Sequence, residues 1–438
     1  MYHDLTKGSI SRSLLLFALP MMAGNLLQQF YNIADTLIVG RVLGKNALAA
    51  VGSSYTLMTF LTSIFLGLSM GSGALFSIYR GKGDERALKS SIAHACGLIL
   101  AVTLVLNAVV YIFIDPILSF LRVPEEVRGG MREYLLIIFA GLLATSLYNF
   151  FSCLLRALGN STVPLVFLAV SAILNIAWDL LFVAVFQLGI AGAAYATIFA
   201  QYVSGIGILL YVLFRCRSLF PERKDLCFDG GILKEIAGLS SLTCLQQSVM
   251  NFGILMVQGL VNSFGATTMA AFAAAVKIDT FAYLPVQDFG NAYSTFIAQN
   301  YGAGNKERIR RGTKESFAIS TAFSLVISAL VFAFAAPLMQ IFVSSAETAV
   351  IASGVRYLRI EGAFYFGIGC LFLFYGYYRA IKRAEMSVVL TVISLGIRVL
   401  LAYVLSATFL GETGIWMAIP IGWILADLTG LLYMRKTW

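Results

Sequence analysis

Apolar runs of about twenty or more residues, each closed by a short polar stretch, recur from one end of the chain to the other. That recurrence decides the fold class before any motif is read. Inside a bilayer every backbone N–H and C=O must find its partner within the protein, so runs of this length and frequency are helices. Composition agrees. Of 438 residues only 12% are charged, against roughly 25% in soluble proteins, and the mean hydropathy is +0.85. We therefore expect an all-α polytopic membrane protein with twelve transmembrane helices, at 12–38, 46–78, 91–114, 131–155, 161–186, 190–214, 233–262, 268–298, 315–341, 350–378, 385–409 and 413–434. Met1 to Ser13 holds no short apolar core with a cleavage site, so no signal peptide is expected.

The longest polar interruption, Arg215 to Gly231, divides the spans into six plus six. Residues 1–214 form one lobe, 215–232 a linker and 233–438 a second lobe. Of the 31 Lys and Arg, 22 fall on the side holding both termini, 7 on the other, and Lys277 and Arg398 inside spans. That bias places both termini in the cytoplasm of a multi-pass protein of the plasma (inner) membrane. The net charge of +9 lies in these loops, with no nucleic-acid signature beside it, so no nucleic-acid partner is expected. An internal repeat supports the division. Gly44, Ala49, Ala50, Gly81, Gly83 and Pro116 recur 221 residues on as Gly265, Ala270, Ala271, Gly302, Gly304 and Pro337. Tyr134, Leu135, Arg156 and Ala157 recur 223 on, as Tyr357, Leu358, Arg379 and Ala380. Gly189, Ile190 and Ala193 recur as Gly414, Ile415 and Ala418. Halves with an even number of spans lie in parallel, which implies a pseudo-two-fold axis along the membrane normal and a cavity between the halves.

Pro20 to Gly40 carries a carboxylate, Asp35, inside an apolar span. A charge at membrane depth costs roughly 2.5–3.5 kcal/mol and needs a partner or a function. Gln28, Tyr31 and Asn32 share a helical face with it, and Pro20 permits a kink. Helix five adds Asn175 and Asp179 at i and i+4, and helix six adds Thr197. By topology Asp35, Asp179 and Thr197 all lie within roughly 5–12 Å of the outer boundary, so they can meet. Two carboxylates, an amide oxygen and a hydroxyl make a hard all-oxygen site suited to Na⁺ or a proton. The plain alternative is that these groups only satisfy each other's hydrogen bonds, or that one acid pairs with a base, although helices one to six hold no Lys or Arg at mid-depth. Against it, the repeat maps Asp35 to Met256, Asn175 to Arg398, Asp179 to Ala402 and Thr197 to Gly422, so the acidic site belongs to the first half alone.

The second half has its own intramembrane charges: Lys277, Asp279, Asp288, Glu361, Arg398 and Asp427. Lys277 and Asp279, two apart, point to different faces, and Arg398 can pair with a carboxylate. Buried ion pairing and substrate contact are equally open for this set. Gln246, Gln247 and Asn251 can line a cavity or pack helices. Gly67, Gly71 and Gly73 read as close helix packing and not as a phosphate loop. His94 reads as structural. The six cysteines are scattered without CxxC and read as packing residues and free thiols. There is no Walker motif, no HExxH and no Ser/His/Asp set, so no enzyme chemistry and no cofactor are expected.

PMMAGNLLQQFYNIADTLIVG followed by GKNALAAVG, the NIAWD of helix five and NYGAGNKERIRRG together resemble the MATE (multidrug and toxic compound extrusion) family over essentially the whole chain. The resemblance implies a V-shaped pair of six-helix lobes, alternating access, and export of organic cations in exchange for Na⁺ or H⁺. It places the cation site at Asp35, Asn175, Asp179 and Thr197. Where many members have proline after the acid, this chain reads NIAWDLLF, which leaves the local bend in question. The expected partners are small organic cations and the bilayer, and the chain is expected to act as a monomer. The competing readings are a flippase of lipid-linked saccharides, which Lys277 and Arg398 would suit, a major facilitator transporter, which YRGKGDERALK only faintly fits, and a receptor or scaffold, which needs no buried acid pair.

Overall fold

The computed structural model describes residues 4–120, 123, 125–219 and 229–437. Arg122 and the linker residues Glu222, Arg223, Lys224, Asp225 and Cys227 lie outside the described residues. The regular structure among the described residues is helical throughout: α1 (Ile10–Leu43), α2 (Lys45–Lys82), α3 (Glu85–Phe120), α4 (Glu125–Ala140), α5 (Leu142–Ala157), α6 (Thr162–Asp179), α7 (Gly189–Arg215), α8 (Gly230–Asn262), α9 (Ala266–Gly302), α10 (Lys306–Phe342), α11 (Thr348–Gly362), α12 (Tyr365–Ala380), α13 (Ala384–Thr391), α14 (Arg398–Ser406) and α15 (Glu412–Thr437). Single π-helical turns, Leu180–Val185 and Val392–Ile397, follow α6 and α13. Ten helices are long and apolar enough to cross a membrane, and two bent pairs, α4 with α5 and α11 with α12, bring the spans to twelve. The chain is an all-α, multi-pass membrane protein.

Several helices outrun their apolar cores. α10 starts at Lys306, nine residues before the expected 315, because KERIRRGTKE is helical although it is polar. Likewise α3 starts at Glu85, where the Asp84 carboxylate accepts the Ala87 N–H at 3.0 Å. The fourth and tenth spans are broken and not straight. They bend by 45° at Gly141 and by 51° between Gly362 and Tyr365.

The repeat is written into the backbone. Gly44 and Gly265 precede α2 and α9 at φ 84° and 93°, and Gly83 and Gly304 sit at φ 73° and 72°. Side chains rarely adopt this left-handed region, which explains glycine at both copies. Phe113 and Phe334, also 221 apart, leave helical geometry inside α3 and α10, three residues before Pro116 and Pro337. The proline ring removes a backbone donor and clashes with the preceding turn, so the kink sits upstream of it. α1, by contrast, continues as one helix through Pro20.

The chain forms two compact units, centred on Leu19–Cys244 and on Leu245–Trp438, the second also taking Leu5–Ala18. In the first unit α2 meets the first half of α8 at glycines. A Cβ on Gly67 would lie 2.5 Å from Cys244 Cα, and one on Gly71 would lie 2.5 Å from Ser240 Cα. Ser240 Oγ donates to Leu68 O at 3.0 Å across this contact, and Tyr79 OH donates to Glu235 at 2.9 Å. Gly73 faces Cys153. These glycines are packing residues, as expected. In the second unit the chain before α1 is clasped by α9 and α10. The Arg308 guanidinium donates to the carbonyls of Leu5, Lys7 and Gly8, and Leu5 N–H donates to Gln299 Oε1 at 3.2 Å. His94 is structural: Nδ1 bonds Ser90 O at 2.8 Å and Nε2 accepts the Asp229 N–H at 3.2 Å. Cys96, Cys153, Cys216, Cys244 and Cys370 form no disulfide among the described residues.

Candidate functional site

In the first unit α1, α6 and α7 bring the four expected oxygen donors together. Asp179 is fully buried and Asn175 is 2% exposed, while Asp35 and Thr197 are half-buried. The Asp35 and Asp179 carboxyl groups lie within hydrogen-bonding reach of each other. Asn175 Nδ2 approaches Thr197 Oγ1 at 3.5 Å, and that hydroxyl donates to Ala193 O at 3.0 Å. Asp35 Oδ1, Asn175 Oδ1 and both Asp179 carboxylate oxygens are buried without a protein donor. Two carboxylates are both acceptors, so their approach needs something positive between them. At about 4 Å and an effective dielectric near 20, like charges repel by about 4 kcal/mol.

Tyrosines line this acid pair. Tyr31, one turn before Asp35, touches Gln28 and sits near Tyr55 and Tyr148. Tyr134 on α4 contacts Thr197 and faces both Asp35 and Asp179. Asn32 is half-buried on α1, and its carbonyl accepts the Thr36 hydroxyl at 2.8 Å. The question left by the missing proline has a structural answer: Asp179 is the last α-helical residue before the π-helical turn Leu180–Val185. A π-turn widens and redirects the helix without proline and is frequent at functional sites.

The second unit gathers a different cluster. Asp279 on α9, Glu361 on α11 and Arg398 on α14 are all buried. Tyr365 OH donates to Asp279 Oδ1, and Tyr357 contacts both Asp279 and Glu361. Arg398 lies within electrostatic reach of both carboxylates. Lys277 does not join them. It is exposed, with Nζ 5.8 Å over the Phe342 ring, on another face of α9 from Asp279. Gln246 and Gln247 are buried and Asn251 half-buried on the second half of α8. Tyr134 and Tyr357 are absent from the sequence-derived site, yet they are repeat partners 223 residues apart, each facing the acids of its own unit. The repeat carried that signal. Glu361 stood out in the sequence only as one charge among six, because nothing local links it to Asp279.

The donor set admits Na⁺ or a proton and offers nothing for a soft metal. Among the described residues no three His, Cys, Asp or Glu side chains group to hold a metal ion.

A family model, MatE, matches residues 20–181 and 242–404. The chain is 32% identical over 436 residues to the "Probable multidrug resistance protein YpnP" of Bacillus subtilis, covering 99% of this chain and 96% of that one. It is 27% identical over 433 residues to the "Probable multidrug resistance protein NorM" of Thermotoga maritima, covering 97% and 92%. Its fold matches, with a TM-score of 0.93 and 24% identity over 99% of this chain and 97% of the other, the outward-facing conformation of a multidrug resistance MATE family transporter of the MOP superfamily. The chain belongs to the MATE family of membrane transporters, and it is not an enzyme.

Proposed function

We propose that this protein is a secondary antiporter that exports organic cations in exchange for Na⁺ or H⁺ by alternating access. Asp35, Asn175, Asp179 and Thr197 form the coupling site. Gln28, Tyr31 and Asn32, with Gln246, Gln247, Asn251, Lys277, Asp279 and Arg398 of the second half, are the residues proposed to meet substrate. The carrying observation is the close acid pair, whose three buried oxygens, with Asn175 Oδ1 as a fourth, no protein donor satisfies. A cation or proton there supplies the missing partner. A cationic substrate that favours the arrangement with the site empty then competes with the driving ion, and that differential affinity is what couples the two fluxes. The relatives named as multidrug resistance proteins support the substrate class. A flippase would need free cationic groups, and Arg398 is held beside two carboxylates while Lys277 stands over an aromatic ring. The reading also puts both termini in the cytoplasm of the plasma membrane, from the Lys and Arg bias. Everted vesicles with imposed Na⁺ or pH gradients test it: one gradient should drive accumulation of an organic cation dye. Equal accumulation with neither gradient would end the antiport reading.

A further inference from the structure

Asp427 is a carboxyl group inside α15, the twelfth span. Its Oδ1 is buried with no hydrogen-bond partner, and among the described residues no basic side chain pairs with it. The basic groups on the helices around α15 are engaged elsewhere. Arg356 pairs with Glu412 at 3.5 Å, Arg359 stands over the Phe332 ring, and Arg379 donates to Ser294 and Asn291. Arg383 pairs with Glu385 of α13 at 3.5 Å, and Arg398 lies by Asp279 and Glu361. The titratable groups within electrostatic reach of Asp427 are Cys370 and Tyr375 of α12. Neither is positive in any protonation state, so neither balances a carboxylate charge, which is expensive inside a membrane.

Gly367 of α12 fixes where this carboxyl sits. A Cβ there would lie 3.4 Å from Trp423 Cβ and 3.7 Å from Asp427 Oδ2. Gly367 is also where the break of the tenth span changes the backbone bonding. In a helix running straight from α11 into α12, its N–H would bond Ala363 O, four residues back. Instead it bonds Phe364 O at 2.8 Å, so the Ala363 carbonyl loses its helical donor.

The first unit supplies donors at the same place. At its break near Gly141, Tyr111 OH donates to Leu136 O at 2.7 Å, Asn107 Nδ2 to Phe139 O at 2.9 Å and Tyr202 OH to Ala140 O at 2.8 Å. The repeat puts Phe332, Ser328 and Asp427 at the three donor positions, and Ala363 in the place of Ala140. Phe332 has nothing to donate, and Ser328 Oγ has no hydrogen-bond partner. A carboxylate cannot donate either, but a carboxylic acid can.

We propose that Asp427 is a proton-binding site of the second unit, whose acid form donates to the Ala363 carbonyl as Tyr202 donates to Ala140. When the proton leaves to water, carboxylate and carbonyl are two acceptors and the bond is lost. The break of the tenth span is therefore bonded or open according to that proton, whereas a tyrosine holds the break of the fourth at any ordinary pH. This site is separate from the Asp35–Asp179 pair and stands whether or not that pair couples transport.

Two measurements on the purified full chain in lipid test it. Infrared spectra at neutral pH should show a C=O stretch of a protonated acid, shifted by deuterium exchange, that is missing from Asp427→Asn. Loss of a carboxylate stretch in its place would show that Asp427 is ionised and would overturn the site. If Asp427→Asn does not fold, Asp427→Glu keeps the acid and should move the band; an unmoved band is equally fatal. In thermal unfolding at neutral pH, Asp427→Leu, neutral but without a donor, should melt below both the wild type and Asp427→Asn. A leucine variant as stable as these or more so would mean that no bond to the break is lost, and the proposal fails.

Discussion

Asp179→Asn isolates the central electrostatic claim. Asp179 is fully buried, both its oxygens lack a donor, and the Asp35 carboxyl is within reach. Asparagine keeps the shape, removes one charge, and offers an N–H where two acceptors faced each other. The repulsion removed is about 4 kcal/mol at most, for about 4 Å and an effective dielectric near 20. Partial solvation of the half-buried Asp35 already relieves much of it in the wild type, so the net gain should be about 1–2 kcal/mol. At about 2–4 °C per kcal/mol, that is a Tm rise of about 2–8 °C in buffer without the coupling ion. The second half of the prediction concerns linkage. Raising the coupling ion to a hundred times its dissociation constant should stabilise the wild type by about 2.7 kcal/mol, or about 5–11 °C. The variant should show no such shift, and its gradient-driven efflux should be lost. The assay is thermal unfolding across a series of Na⁺ concentrations and of pH, with efflux measured in parallel. A variant that kept both the wild-type ion-dependent shift and coupled efflux would refute the first-unit coupling site.

Gly71→Ala forces a methyl to within 2.5 Å of Ser240 Cα and should destabilise the first unit by about 1–3 kcal/mol, visible as a lower Tm, whereas an alanine at the open Gly97 of α3 should leave it nearly unchanged. Cys227, which lies outside the described residues, should resist a membrane-impermeant thiol reagent added to intact cells and react in everted vesicles; labelling from outside would reverse the proposed topology. Lengthening the linker at residues 220–228 with Gly and Ser should leave transport nearly intact, since loop closure costs only about 0.6 kcal/mol per doubling of length, and abolished transport in a correctly inserted variant would give the segment a specific role.

Membrane class, the twelve spans, the repeat and the placing of the first-half acids on shared helical faces are legible in the residues alone. Those signals are local or periodic: apolar length, glycine at left-handed positions, proline upstream of which α3 and α10 kink, and side chains spaced four apart on one helix. The bilayer strengthens them because it forbids unpaired backbone, so little but helix is possible. Which residues meet across helices became visible only in the packed fold. It put Tyr134 within electrostatic reach of Asp35 and Asp179, brought Asp279 to Glu361 with Arg398 in electrostatic reach of both, and turned Lys277 away toward Phe342. It also answered the question that NIAWDLLF left open, with a π-turn after Asp179, and broke two spans near Gly141 and Ala363. A helix's rotation about its own axis is set by close packing with its neighbours, such as Gly67 and Gly71 against α8, and that packing sums over residues far apart in the chain. Spacing can say which groups share a face, but only the neighbouring helices say what that face sees.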